Sequence, residues 1–235
     1  ARRHLRRLTI WGGLKMLTNE NYFSPENNMK YCGSSQYKDF FGSMGHHGCE
    51  AMALAKLRGE WAMEKTDALL IGSYVDAHFE GTLDLFRAQN PEIFTQKGEL
   101  KAGFKKAEDI IQVLEADELF MPFMSGEKQT IFTGEIEGVP VKIKIDSYLR
   151  GKAIVDGKVM ASIRKFEWVK DFGKVNFVEY WGYDIQAAIY QEIERQNSGN
   201  TLPFFITAAS KEKVTDKEVI WLPNQMLVDR LTEVR

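Results

Sequence analysis

EGVPVKIKIDSYLRGKAIVDGK, residues 137–158, is the stretch whose reading decides the fold. Val139, Val141, Ile143 and Ile145 alternate with other residues, the two-residue period of a strand with one apolar face. Asp146 follows directly. Arg150-Gly151-Lys152 breaks the run as a turn. Ala153-Ile154-Val155 then leads into Asp156-Gly157-Lys158 on a second strand. Side chains on a strand repeat every second residue, so Asp156 and Lys158 point to one side. Pairing across the turn brings Asp146 close to Asp156, and two carboxylates and an ammonium meet at one place. An Asp-x-Lys alone is common and is usually a solvated strand face. The second acid upstream and the strong apolar flanks set this one apart.

That group of side chains suits metal-assisted hydrolysis. Two carboxylates can hold a hard divalent cation such as Mg2+ through oxygen. The cation polarises a phosphodiester and lowers the pKa of a bound water. A lysine can position or deprotonate that water, or stabilise the charge that grows on phosphorus.

The rest of the composition narrows the setting. The chain has 235 residues, 44% hydrophobic and 27% charged, enough for one sizeable core. A net charge of −2 excludes a globally basic nucleic-acid binder, so any such contact needs a local basic surface. Cys32 and Cys49 lack the spacing of a thiolate metal or iron–sulfur site and suit a reducing, cytoplasmic compartment. No uninterrupted apolar run reaches membrane-spanning length. Residues 1–15, ARRHLRRLTIWGGLK, differ in character from the rest of the chain. Their arginines precede an apolar segment too short for a signal peptide, and Met16 comes next. They read as a basic leader or extension, the rival being a basic arm that touches DNA or anionic lipid. Residues 16–235 read as a single domain.

Along the chain, residues 17–33 read as a loop. Ser34 to Phe41 reads as a helix broken by a glycine-rich loop carrying His46-His47, an adjacent pair that is ordinarily solvated. Helices are expected over residues 49–63, 67–90 and 98–119. Gly81 interrupts the second without ending it, and His78 lies on that helix's apolar face, where a histidine is usually a satisfied core residue. Strands follow at 128–136 and 138–149, then a strand through Lys158. A polar loop occupies 165–174 and an amphipathic helix 175–196, on which Gln186 and Tyr190 share a face. Strands at 203–209 and 218–222 and a closing helix complete the chain. This order predicts an α+β (mixed α/β) domain with a central mixed sheet flanked by helices. The strand after the helix crossover should join the sheet in parallel.

These motifs, in this order, resemble the PD-(D/E)XK nuclease superfamily, and within it the RecE-like and RecB-like exonucleases often found in phages. The resemblance rests on Gly72 and His78 on the upstream helix, Asp146, Asp156-Gly157-Lys158, and Gln186 with Tyr190, and spans residues 31–222. It implies a restriction-endonuclease-like core. Asp146, Asp156 and the Gly157 carbonyl would be metal ligands, with His78 a further ligand. Lys158 would activate the attacking water, and Gln186 and Tyr190 would order the site or contact DNA. Lys38, Arg164 and Lys165 are candidates for phosphate contact. One departure is that Val159-Met160 stand where these exonucleases usually place Thr.

The resemblance implies a Mg2+-dependent DNA exonuclease, with Mn2+ as a substitute. Its substrate would be linear double-stranded DNA, and its setting the cytoplasm of a bacterial host, phage-encoded or not. The digestion would serve recombination, with a single-strand annealing protein and a homo-oligomeric ring as companions by analogy. Two alternatives stay open. One is another PD-(D/E)XK nuclease, an endonuclease or single-strand-specific repair enzyme. The other is a non-catalytic DNA-binding module of the same fold.

Overall fold

The computed structural model describes residues 16–234, so the basic stretch 1–15 lies outside the described residues. The chain opens with α1 (Pro25–Lys30), started by Pro25 at its first turn and by the Ser24 hydroxyl, which accepts the Asn27 N–H. Then come α2 (Ser34–Phe41), the short hairpin β1 (Gly42–Ser43) and β2 (His46–His47), and α3 (Glu50–Leu57). Next are α4 (Asp67–Glu80), α5 (Leu83–Gln89) and α6 (Ala102–Glu115), followed by the strands β3 (Glu127–Ile136), β4 (Val139–Leu149) and β5 (Ala153–Met160). A small hairpin, β6 (Glu167–Val169) and β7 (Gly173–Val175), leads to α7 (Phe177–Tyr180) and α8 (Tyr183–Ser198). The chain closes with β8 (Phe204–Ser210), β9 (Lys217–Leu222) and α9 (Asn224–Val234).

The central sheet has the order β3-β4-β5-β8-β9. β5 and β8 pair in parallel and the other neighbours antiparallel. The mixed sheet and the parallel strand after the α8 crossover agree with the sequence reading. β3 turns into β4 through Glu137-Gly138, both at positive φ, the geometry of a tight two-residue hairpin. β4 turns into β5 at Gly151, where φ is 68°. One face of the sheet, with Ile143, Ile145, Ile154, Phe204 and Ile206 fully buried, packs on α8 through Ala187, Ala188 and Ile193. The other face meets α4 and α6 through Tyr74, Val75, Ile110, Ile111 and Leu114. No helix of the described residues is long and apolar enough to cross a membrane.

Several element boundaries differ from the sequence reading. Gly81 does end α4: it adopts a left-handed conformation (φ 76°, ψ 20°) that closes the helix, and a separate α5 follows. The 49–63 helix stops at Leu57, with Gly59 left-handed just beyond it. The 98–119 helix spans only Ala102–Glu115. The 175–196 helix is divided at Gly182, whose φ of 65° breaks the helical path. Glycine at a helix end and glycine inside a helix look alike in sequence, because the difference is one backbone torsion.

Candidate active site

The β4–β5 ladder runs from Leu149↔Ala153 to Ser147↔Val155 and stops one residue short of Asp146 and Asp156. Beyond that point β5 leaves β4, while it stays paired with β8 from Ile154 to Met160. The place it vacates beside β4 is taken by the segment at Cys32, which bonds Pro140 and Lys142 through its backbone. The divergence opens a cavity of about 480 Å³. Asp146, Asp156, Gly157 and Lys158 line it from the sheet, Gln186 and Tyr190 from α8, and Lys38 from α2. Asp76 of α4 reaches it as well, and Tyr22, Phe23 and Lys144 form a further wall.

The polar contacts fix these groups. Gly157 N–H donates to Asp146 Oδ2 at 3.0 Å. Gln186 Nε2 donates to Asp156 Oδ1 at 2.7 Å, and Lys158 ion-pairs with the other oxygen of Asp156, which is only 3% exposed. A side chain on Gly157 would begin 3.8 Å from Asp76 Oδ1 and 3.9 Å from Asp146 Oδ2, so both carboxylates flank that glycine. Asp76, Asp146 and Asp156 thus converge around one backbone position.

The electrostatics follow from crowding. Burial and then the charge on Asp156 push the Asp146 carboxyl up to about 7. The Asp76 side chain is open to the cavity rather than packed. The protein around it, and then the Asp146 charge, still hold its carboxyl well above the usual range. Burial disfavours the Lys158 ammonium, but Asp156 and Asp146 outweigh it, so its pKa is raised and it stays charged. Lys38 is lowered to about 8 by burial and by repulsion from Lys158.

Asp146, Asp156, Gly157, Lys158, Gln186, Tyr190 and Lys38 therefore share one cavity. His78 does not join them. Its Nε2 lies 2.7 Å from Glu115 Oε1 on α6, and it is absent from the cavity wall. Asp76 occupies the place expected of it. Two residues along a helix are about 200° apart around its axis, so Asp76 and His78 cannot both face the sheet acids. Arg164 and Lys165 also lie elsewhere. Arg164 is bound to Asp216 and Glu218, and Lys165 to Glu167. Sequence reasoning missed Asp76, Glu80, Gln129 and the Tyr22–Phe23 wall. A signal for Asp76 was present: an aspartate set between apolar neighbours in Tyr74-Val75-Asp76-Ala77 has to face something polar.

The donors fit a hard divalent cation. They are carboxylate oxygens with neither thiolate nor imidazole among them, and two carry pKa values raised by burial first and then by neighbouring carboxylates, a repulsion that a cation would relieve. Among the described residues, no group of three or more His, Cys, Asp or Glu side chains is arranged to hold a metal ion. Lys158 and Gln186 hold Asp156, while Gly157 holds Asp146.

A mixed sheet carrying acids and a lysine on two diverging strands defines a class of protein, the PD-(D/E)XK fold. The chain belongs to the PDDEXK-like domain family of unknown function (DUF3799), whose pattern it matches over residues 33–235. It is similar to a crystal structure from Eubacterium rectale described as a putative exonuclease. The two are 56% identical with a TM-score of 0.92, over 94% of this chain and 83% of that one. A second solved structure, SSO0001, is 12% identical with a TM-score of 0.30, over 79% of this chain and 84% of that one, and carries no argument. No curated protein matches the chain.

Proposed function

We propose that this protein is a divalent-cation-dependent DNA exonuclease that hydrolyses phosphodiester bonds of linear double-stranded DNA. The observation that carries the reading is the convergence of Asp76, Asp146 and Asp156 around Gly157, with Lys158 beside them. Asp146, Asp156 and the Gly157 carbonyl would hold Mg2+ or Mn2+, with Asp76 in the role the resemblance gave to His78. When bound, the cation polarises the scissile phosphate and acidifies a water. Lys158 enters as a cation, so its part is to orient that water and to stabilise the negative charge that develops on phosphorus, not to remove a proton. Gln186 keeps Asp156 in one rotamer, and Lys38 and Lys144 line the walls where phosphates would pass. Water oxygen bonds to phosphorus as the P–O bond to the departing sugar oxygen breaks, and the proton the water loses is carried through solvent to that oxygen.

Attack at DNA ends is supported by the description of the Eubacterium rectale relative. Recombination, with the product strand passed to an annealing protein, and a homo-oligomeric assembly are proposed on the resemblance alone. The test compares linear with covalently closed duplex of the same sequence, with Mg2+ or Mn2+. We expect digestion of the linear form only, and a loss of roughly a thousandfold or more in Asp156→Ala. Cutting of the closed circle would make it an endonuclease, and intact linear DNA would remove the nuclease reading.

A further inference from the structure

Gln129, the third residue of β3, has a φ of 52°. The other non-glycine residues at positive φ, Glu137 and Asp171, lie in the turns of the β3–β4 and β6–β7 hairpins, where that conformation is ordinary. Gln129 has no turn to make. The ladder pairs Lys128 with Ser147 and Thr130 with Ile145, so the register is unchanged across it and no extra residue has to be absorbed. Glutamine gains nothing locally from this conformation, which favours glycine and asparagine. Only the pair between those two, Gln129 opposite Asp146, is missing from the ladder, and strain held within a strand calls for something outside the backbone to hold it.

What holds it is the carboxamide. Gln129 Nε2 donates to Glu80 Oε1 at 2.7 Å and to Asp146 Oδ1 at 3.2 Å. Both acceptors are carboxylates, so the orientation of the amide follows from them. Its Oε1 is buried without a hydrogen-bond partner among the described residues, and the residue is 9% exposed. A side chain kept only for packing has no reason to bury an unsatisfied oxygen at a strained position. Gly157 N–H already holds Asp146 Oδ2. With Gln129 on Oδ1, each oxygen of Asp146 is held by one N–H, which fixes the plane of the carboxylate while leaving lone pairs on both.

We propose that Gln129 is a positioning residue: its amide sets the Asp146 carboxylate for a cation and separates it from Glu80. The proposal rests on the reading of the cavity as a cation site. Groups that orient a metal ligand typically contribute 10- to 100-fold in metal affinity.

The probe is Mn2+ alone, titrated calorimetrically into the full chain without DNA. Gln129→Leu removes both donors at similar size. Gln129→Asn relieves the backbone, because asparagine accepts positive φ, but shortens the reach. We expect both to bind Mn2+ roughly 10- to 100-fold more weakly than wild type. Gln129→Asn should melt no lower than wild type, which separates positioning from folding. Cleavage by both should recover at high Mn2+, which a merely structural defect would not allow. If either folded variant binds Mn2+ as wild type does while Asp146→Ala does not bind, Gln129 has no positioning role. If Asp146→Ala binds as wild type does, the cation site itself is wrong and this proposal falls with it.

Discussion

Two clusters in this protein set one cation among several acids, and they behave in opposite ways. Around Arg230 the guanidinium fork reaches Asp184 at 2.6 Å and Glu233 at 2.8 Å, with Glu179 at 3.8 Å. Asp184 is 2% exposed and satisfied, while Glu233 is exposed to water. Around Lys158 the ion pair is with Asp156, while Asp146 and Asp76 are held by backbone or amide donors or face the open cavity. Burial first, and then the neighbouring carboxylates, push their carboxyls upward. A planar fork can satisfy several carboxylates at once, whereas an ammonium is a point charge. The first cluster is closed and joins α8 to α9. The second stays open to the cavity, and on the proposed function it is where a divalent cation would bind. The larger groove of about 960 Å³ next to it is lined by Trp168, Phe172 and Arg230, and the Arg230 acids there are already matched.

The contrast can be broken in three further ways. The largest effect should come from α4. Asp76→Ala should lower cleavage roughly 10- to 100-fold, while His78→Ala leaves the rate per folded molecule unchanged. Equal losses, measured by steady-state digestion, would put both faces of α4 in the site and undo the contrast. Next, Arg230→Ala strands Asp184 and should cost about 3 kcal/mol in chemical denaturation, with metal affinity intact. An unchanged midpoint would mean that the closed cluster contributes no stability.

The third way concerns pH. Asp146 in the folded protein titrates near 7, above its ordinary value, so the native state binds more protons than the unfolded chain in between. Stability is then fully present at low pH and declines as pH rises from the ordinary carboxylate range toward 7. Melting of the metal-free protein should fall over that window, by roughly 2–4 °C for each kcal/mol lost. Asp146→Asn should flatten the decline. A melting temperature that rises through the same window would contradict the crowding of these acids.

Much of the site was legible because it is local. Asp146, Asp156 and Lys158 lie within one hairpin, and strand alternation with a short turn places them without reference to the rest of the fold. Helical spacing put Gln186 and Tyr190 on one face, and the resemblance put that face in the site. His78 was placed in the site by the resemblance, whereas its position on the apolar face of the helix pointed to packing; the structure turns Asp76, two residues earlier, toward the cavity. Arg164 and Lys165 looked available for phosphate because their partners Asp216, Glu218 and Glu167 became neighbours only through folding. Glu80 and Gln129 come from separate elements that meet at Asp146, and nothing in their surroundings along the chain marks either one.

The amino-acid sequence by itself determined the strands of the central sheet, the hairpin that pairs the two acids, and the parallel return of β8, since these depend on side-chain period and short connections, but not the small hairpins β1–β2 and β6–β7, which it read as loops. Tertiary structure alone decided the rotation of α4 that brings Asp76 into the cavity, the left-handed turn of Gln129 toward Asp146, and the neutralisation of Asp184 by Arg230. Those outcomes depend on how elements distant in the chain pack together, and packing is set by shape and burial across the whole core rather than by any one segment.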